Sequence, residues 1–208
     1  SYLVMEERTS RPHLVKVAGF NAAMLDLTNP KAREWMRDDV LRADVLGLTG
    51  ARPAAAAVDA RTPLSDGWMA DFGEALPCGG IQLHDGRPPC SVHNEYAVEW
   101  ARLNLEAARV AGLTLDDVLL FFRSGFTTSP SLVPLFWLGD QLHTWDEHDG
   151  LASTVTATLS GGLSGFALTH SDVGGYNGGD MWAAQVLLGV HLNFTCVSPH
   201  PPSASRSA

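Results

Sequence analysis

Two nearly continuous apolar runs, "DDVLLFFRSG" (116–125) and "LVPLFWLGD" (132–140), carry the mark of strands covered on both faces in a parallel sheet. Between such runs the periodicity changes. Residues 93–111, "HNEYAVEWARLNLEAARVA", place Tyr96, Trp100, Leu103 and Ala107 at three- and four-residue steps with Gly112 behind them, which predicts an amphipathic helix. Upstream, "VKVAGFNAAMLDL" (15–27) reads as extended. "TNPKAREWMRDDVLRADVLG" then predicts a helix with Thr28 or Asn29 as cap, Pro30 in the first turn and Gly47 as its stop. "GWMAD" reads as a buried strand ending at Asp71, "DGLASTVTATLSGG" as a helix, "GFALTHSD" as a further strand and "MWAAQVLLGVHL" as a last helix.

Breaks in the pattern divide the chain. Residues 1–14 form an N-terminal segment, and residues 15–190 hold the alternating strands and helices. The Ala- and Pro-rich stretch 48–65 interrupts them as an insertion without apolar period, "CGGIQLHDGRPPCS" is a Gly- and Pro-rich loop, and 191–208 reads as a disordered tail. Alternation of strand and helix predicts an α/β fold with a parallel sheet. Periodicity alone does not separate a barrel from a doubly wound sheet. A (β/α)8 TIM barrel is favoured because several strands deliver a polar or ionisable residue at the same end: Asp26, Asp71, Arg123, Asp140, then His170 and Asp172. No Gly-rich phosphate loop follows the first strand.

Composition narrows the partners. With 208 residues, 45% apolar and 18% charged, the chain is an ordinary soluble globular sequence, and a formal net charge of −9 argues against nucleic acid or an anionic membrane as partner. No apolar run reaches the roughly 18 residues of a spanning helix. The chain begins at Ser1 rather than Met, as it would if a targeting segment had been lost. Three cysteines, Cys78, Cys90 and Cys196, are an odd count that points to a reducing intracellular compartment and away from a disulfide framework. Cys78, His84, Cys90 and His93 are spaced more widely than zinc-finger ligands, so no metal and no other cofactor is expected. "GLSGF" lacks the last Gly of a nucleophile elbow, and "NFT" at Asn193 is a glycosylation acceptor only in a secreted chain.

Asp71 and Asp140, on different strand ends, are the residue types that glycosidic cleavage requires. One attacks or steadies the cationic sugar carbon, and the other delivers a proton to the leaving oxygen. Trp68 and Trp137 beside them suit the C–H face of a sugar ring. Each residue has a plainer reading. Either Asp serves as a turn or cap acid, the tryptophans as core, Arg123 as the partner of a neighbouring acid, His170 as a satisfied imidazole, Glu74 as a solvated charge and Tyr176 as a loop aromatic.

The ordered motifs "GWMADFGEALP", "HNEYAVEWARLN", "FFRSGFT", "WLGDQ", "HDGLASTV" and "HSDVGGY", with "MLDLTNPKAREW" upstream, resemble glycoside hydrolase family 31, and its sulfoquinovosidase branch most closely. The likeness runs over about residues 15–178 and leaves the Ala-rich insertion unmatched. It implies a retaining α-glycosidase on a (β/α)8 barrel, with Asp71 as nucleophile and Asp140 as general acid/base. It also implies that Arg123, Trp137, His170 and Asp172 line the sugar subsite, with Trp68 and Glu74 flanking the nucleophile and Gln141 following the acid. "MADFGE", "GDQ" and Tyr176 depart from the α-glucosidase pattern toward sulfoquinovosidases, in which that Tyr helps to recognise a sulfonate. The expected partner is therefore a sulfonated sugar glycoside. An α-glucosidase or α-xylosidase of the same family, or a non-catalytic carbohydrate-binding remnant, are the alternatives. A whole barrel takes about 250 residues, so about five of its strands, an incomplete barrel with little activity by itself, are expected here.

Overall fold

The computed structural model describes residues 1–17, 20–47 and 65–178. The predicted insertion (48–65, except its last residue), the last helix and the tail lie outside the described residues. The chain divides into two units, Ser1–Trp137 with Ser164–Leu168, and Leu138–Leu163 with Thr169–Ala208.

In the first unit, β1 (Met5–Glu6), β2 (Leu14–Val17) and β3 (Phe20–Ala23) precede helix α1 (Pro30–Trp35), which runs on through wider π-helical turns at Met36–Val45. Then come β4 (Gly67–Ala70), β5 (Ile81–Gln82), the short α2 (Pro89–Val92), α3 (Glu95–Val110), β6 (Leu119–Phe122) and β7 (Leu135–Trp137). Strands β4, β6 and β7 are parallel, with Ala70 opposite Phe122 and Phe122 opposite Phe136. This is the βα arrangement predicted from the two periods. In the second unit, α4 (Leu151–Leu163) forms as predicted, and β8 (Thr169–His170) is held by a 2.8 Å bond from the Leu138 N–H to the His170 carbonyl.

Two expectations change. The stretch 15–27 is not one strand: β2 and β3 pair with each other antiparallel, and Lys16 faces Asn21 across the pair. A polar pair in mid-strand suits a solvated hairpin, not a strand buried in a parallel sheet. The parallel strands β4 and β6 are also unevenly covered on their two faces among the described residues. Ala70, Leu120 and Phe122 are buried with Ala101, Leu105 and Ala108 of α3, whereas Met69 and Leu119, on the alternate positions, are 42% and 52% exposed.

Helix α1 begins where predicted. The Asn29 side chain accepts the Lys31 N–H, and Pro30 occupies the first turn, where its missing N–H costs nothing. The buried Asp26 carboxylate accepts from the Thr28 N–H and hydroxyl and from the His84 N–H. It thereby ties the "LDLTNP" turn to the loop after β5, and Tyr96 of α3 donates its hydroxyl to the Leu25 carbonyl close by. Burial, with Asp26 near, pushes the Tyr96 phenol far above its ordinary pKa, so it stays a donor. Cys78 and Cys90 are joined in a disulfide, against the expectation drawn from the odd cysteine count. That pairing uses two of the four residues weighed as zinc ligands and removes the premise for a reducing compartment. Among the described residues no helix is long and apolar enough to cross a membrane.

Candidate active site

The parallel register builds the first half of the site. Because Ala70 faces Phe122 and Phe122 faces Phe136, the next residues, Asp71, Arg123 and Trp137, stand in a row along the C-terminal edge of the sheet. Arg123 Nε lies 3.3 Å from Asp71 Oδ1 and 3.0 Å from Glu74 Oε1, and its terminal nitrogen is 2.5 Å from the same Glu74 oxygen. The guanidinium lies 4.2 Å over the Phe72 ring and 5.9 Å from the Trp137 ring, within cation–π reach of both. Asp71 Oδ1 also accepts the Phe72 N–H at 2.8 Å, so its contacts among the described residues fall on one oxygen.

The backbone after Asp71 is unusual. Phe72 sits in the left-handed region at φ 58°, a conformation that costs a side-chain-bearing residue about 1–2 kcal/mol. Such strain persists only where the surroundings hold it. Here the Ser124 hydroxyl donates to the Phe72 carbonyl at 2.8 Å and the Trp100 indole N–H to the Asp71 carbonyl at 3.1 Å. Gly73 follows at φ +108°, and a Cβ there would stand 2.3 Å from Ser124 Oγ, so glycine is required on both counts. A cavity of about 310 Å³ opens beside Asp71, walled by Phe72, Trp100, Tyr96, Trp35 and Met24 among others. Aromatic walls with one carboxylate make a concave site for a ligand with apolar faces.

Trp68 is not aimed at this edge. Successive strand residues point to opposite faces, so Trp68 shares the face of Ala70, and its indole N–H donates to Asn104 of α3 at 2.7 Å. This is the core role that the sequence left open. Asn104 is itself fully buried and donates to the Trp100 carbonyl at 2.8 Å. Nothing in the sequence pattern marks Trp100, Asn104 or Ser124 for the site. The helical period already placed Trp100 on the buried face, but nothing in it marked an indole aimed at Asp71.

The second unit holds the remaining candidates. Asp140 is exposed, His170 Nε2 stands 3.9 Å from Asp172 Oδ1, and Tyr176 is exposed on the turn after Gly175. Gln141 is buried, with its side-chain amide donating to the Leu138 carbonyl at 2.8 Å. Its side chain is drawn inward because that carbonyl, at the strand end, takes the amide donor.

Residues 1–200 match the family model for the TIM-barrel domain of glycosyl hydrolases family 31. The chain belongs to glycoside hydrolase family 31. It is 38% identical over 164 residues to a sulfoquinovosidase of Escherichia coli and 35% identical over 179 residues to one of Agrobacterium fabrum, covering 79% and 84% of this chain. It spans 22% and 24% of the length of those curated relatives. A solved family 31 sulfoquinovosidase from E. rectale, in complex with the aza-sugar inhibitor IFGSQ, superposes with a TM-score of 0.72 at 38% identity, over 86% of this chain and 24% of that one. In a family 31 barrel the strand C-termini share the catalytic face, and the edge that carries Asp71, Arg123 and Trp137 is such a set of C-termini.

Proposed function

We propose that this chain carries the catalytic pair of a retaining α-glycosidase, with Asp71 as nucleophile and Asp140 as general acid/base, acting on sulfoquinovosides such as sulfoquinovosyl glycerol or the sulfolipid. The observation that carries this reading is Asp71 at the end of β4. Its Oδ1 is engaged by Arg123 and the Phe72 N–H, which leaves Oδ2 to attack the anomeric carbon. The similarity to sulfoquinovosidases supports the substrate class.

In the first step Asp140 protonates the glycosidic oxygen as Asp71 forms the glycosyl ester, and the aglycone leaves as an alcohol. In the second, Asp140 as carboxylate takes a proton from water, whose oxygen attacks the same carbon and frees Asp71. Two inversions give net retention. Arg123 holds the Asp71 carboxylate in one orientation between the two steps, while Glu74 shares its charge. His170, Asp172 and Tyr176 supply polar contacts to the sugar, with Tyr176 facing the sulfonate. No metal or organic cofactor enters either step.

The test uses the full-length protein that carries this chain, with α-linked sulfoquinovoside, glucoside and xyloside substrates and NMR of the first-formed anomer. Turnover of the sulfonated substrate with retention is expected, and Asp71→Asn and Asp140→Asn should each lower it by about a thousandfold or more. Preference for a neutral glucoside or xyloside would replace the substrate class. Undiminished turnover in either variant would overturn the catalytic assignment.

A further inference from the structure

In the second unit the segment after Asp140 and the turn that carries Tyr176 are laced together through their backbones. The Gln141 carbonyl accepts the N–H groups of Tyr176 at 2.8 Å and Asn177 at 3.2 Å. The His143 N–H donates to the Asn177 carbonyl at 2.8 Å, and His143 Nδ1 lies 2.9 Å from the Gly178 carbonyl oxygen. Gln141 is only 6% exposed, and its amide bonds the carbonyl of Leu138, whose own N–H bonds His170. One residue therefore fastens both the strand end that leads to Asp140 and the turn that presents Tyr176.

The two segments approach so closely that only glycine fits between them. At Gly175, with φ +90°, an added Cβ would stand 2.7 Å from His143 Cδ2, 3.0 Å from the Leu142 carbonyl oxygen and 3.2 Å from that of Gln141. Two of those three atoms are backbone and cannot rotate aside. The Tyr176 side chain is 63% exposed, so its place is set chiefly by where its backbone is anchored.

The geometry points to Gly175 and Gln141 as positioning residues that fix Tyr176 against the Asp140 strand end and thereby set selectivity for the substituent that Tyr176 meets. This rests on the roles proposed above for Asp140 and Tyr176. Neither residue touches the reacting atoms. Gln141 holds the Tyr176 turn through its backbone carbonyl, which its side-chain amide anchors on Leu138, and Gly175 lets the two segments approach, so loss of either shows in discrimination between substrates more than in turnover of all of them.

The experiment measures kcat/KM of the full-length protein on a sulfonated and a neutral α-glycoside that share one aglycone, and compares their ratio. Tyr176→Phe should lower the ratio, which tests the role of Tyr176 itself. Gly175→Ala should lower it by about tenfold or more, mainly through KM for the sulfonated substrate, since a displacement of about 1 Å can cost about a hundredfold. In the Tyr176→Phe background Gly175→Ala should add nothing to the ratio. Gln141→Ala keeps the carbonyl that the turn bonds but removes its anchor on Leu138; it leaves the crowded glycine alone, should shift the ratio the same way, and keeps the test open if the Gly175 variant does not fold. Gly162→Ala on α4, where an added Cβ meets nothing within 4 Å, is the control with the ratio unchanged. An unchanged ratio in Tyr176→Phe removes the role of Tyr176 and this inference with it. A lowered ratio in Tyr176→Phe with none in Gly175→Ala and Gln141→Ala overturns the positioning role alone, as does full additivity of Gly175→Ala with Tyr176→Phe.

Discussion

Replacing Asn104 by Ala tests how the nucleophile strand is held from behind. The fully buried Asn104 accepts from the Trp68 indole at 2.7 Å and donates to the Trp100 carbonyl at 2.8 Å, one helical turn earlier. Each bond contributes about 1 kcal/mol net, so their loss costs about 2 kcal/mol. The stranded Trp68 N–H adds toward the lower end of the about 1–3 kcal/mol of an unsatisfied buried donor, because Trp68 is only half-buried. The sum is about 3 kcal/mol. Native-state hydrogen exchange is the suitable assay, since it reads α3 and β4 whatever else unfolds. Their amides should exchange about 150-fold faster in Asn104→Ala. Trp68→Phe removes the donor as well, so the double variant should cost about 1–2 kcal/mol less than the two singles added. A cost below about 0.5 kcal/mol, or strict additivity, would refute the reasoning.

Two further outcomes are expected. Breaking the Cys78–Cys90 bridge, by reductant or by the double Ser variant, should loosen the loop after β4 by about 2–3 kcal/mol, as for closure of a loop of this 12-residue separation. Faster proteolysis between 78 and 90 would show it, and unchanged cleavage would count against it. At Asp146, N–H bonds from Asp149 and His148 hold the carboxyl below its ordinary pKa. A group depressed in the folded state stabilises above the ordinary carboxylate value of about 3.9 and loses that contribution as pH falls through the lower folded value. Protection of the His148 and Asp149 amides should therefore be full near neutrality and decline below about pH 4. Asp146→Asn, which keeps an oxygen acceptor, should flatten the profile, and an unaltered profile would exclude Asp146 as its source.

Much of the first unit is legible because its signals are local. Tyr96, Leu103 and Ala107 at helical spacing predict the buried face of α3, and Asn29 with Pro30 predicts the start of α1. The apolar runs predict β4, β6 and β7, and the parallel order of β4 and β6 follows from the intervening α3. What was not legible depends on partners distant in sequence. The hairpin of β2 with β3 turns on which face meets water, and the disulfide on two loop positions coming together, which an odd cysteine count argued against. At the site, the motif pointed to Asp71 and Arg123, but the supports of Asp71 come from Trp100 and Ser124, up to 53 residues on. The resemblance implies Gln141 at the substrate, but the bond from its amide to the Leu138 carbonyl is one that spacing does not reveal.

The register that assembles the edge also divides its labour. With Ala70 opposite Phe122, Asp71 and Arg123 must leave the sheet side by side, and strand alternation then sends Trp68 and Phe122 to the helix-covered face. Residues adjacent in the motif "WMAD" thus take opposite duties. Trp68 anchors β4 to α3 through Asn104, while Asp71, three positions later, faces the open edge. The left-handed Phe72 completes the separation, because it turns the chain so that its ring lies under Arg123 while its carbonyl is held by Ser124. A slip of one residue between β4 and β6 would carry Asp71 out of reach of Arg123 and send every alternate apolar side chain to the wrong face. Burial of Ala70, Leu120 and Phe122 against α3 opposes that slip, so the same packing that stabilises the unit sets the distance between the carboxylate and its guanidinium.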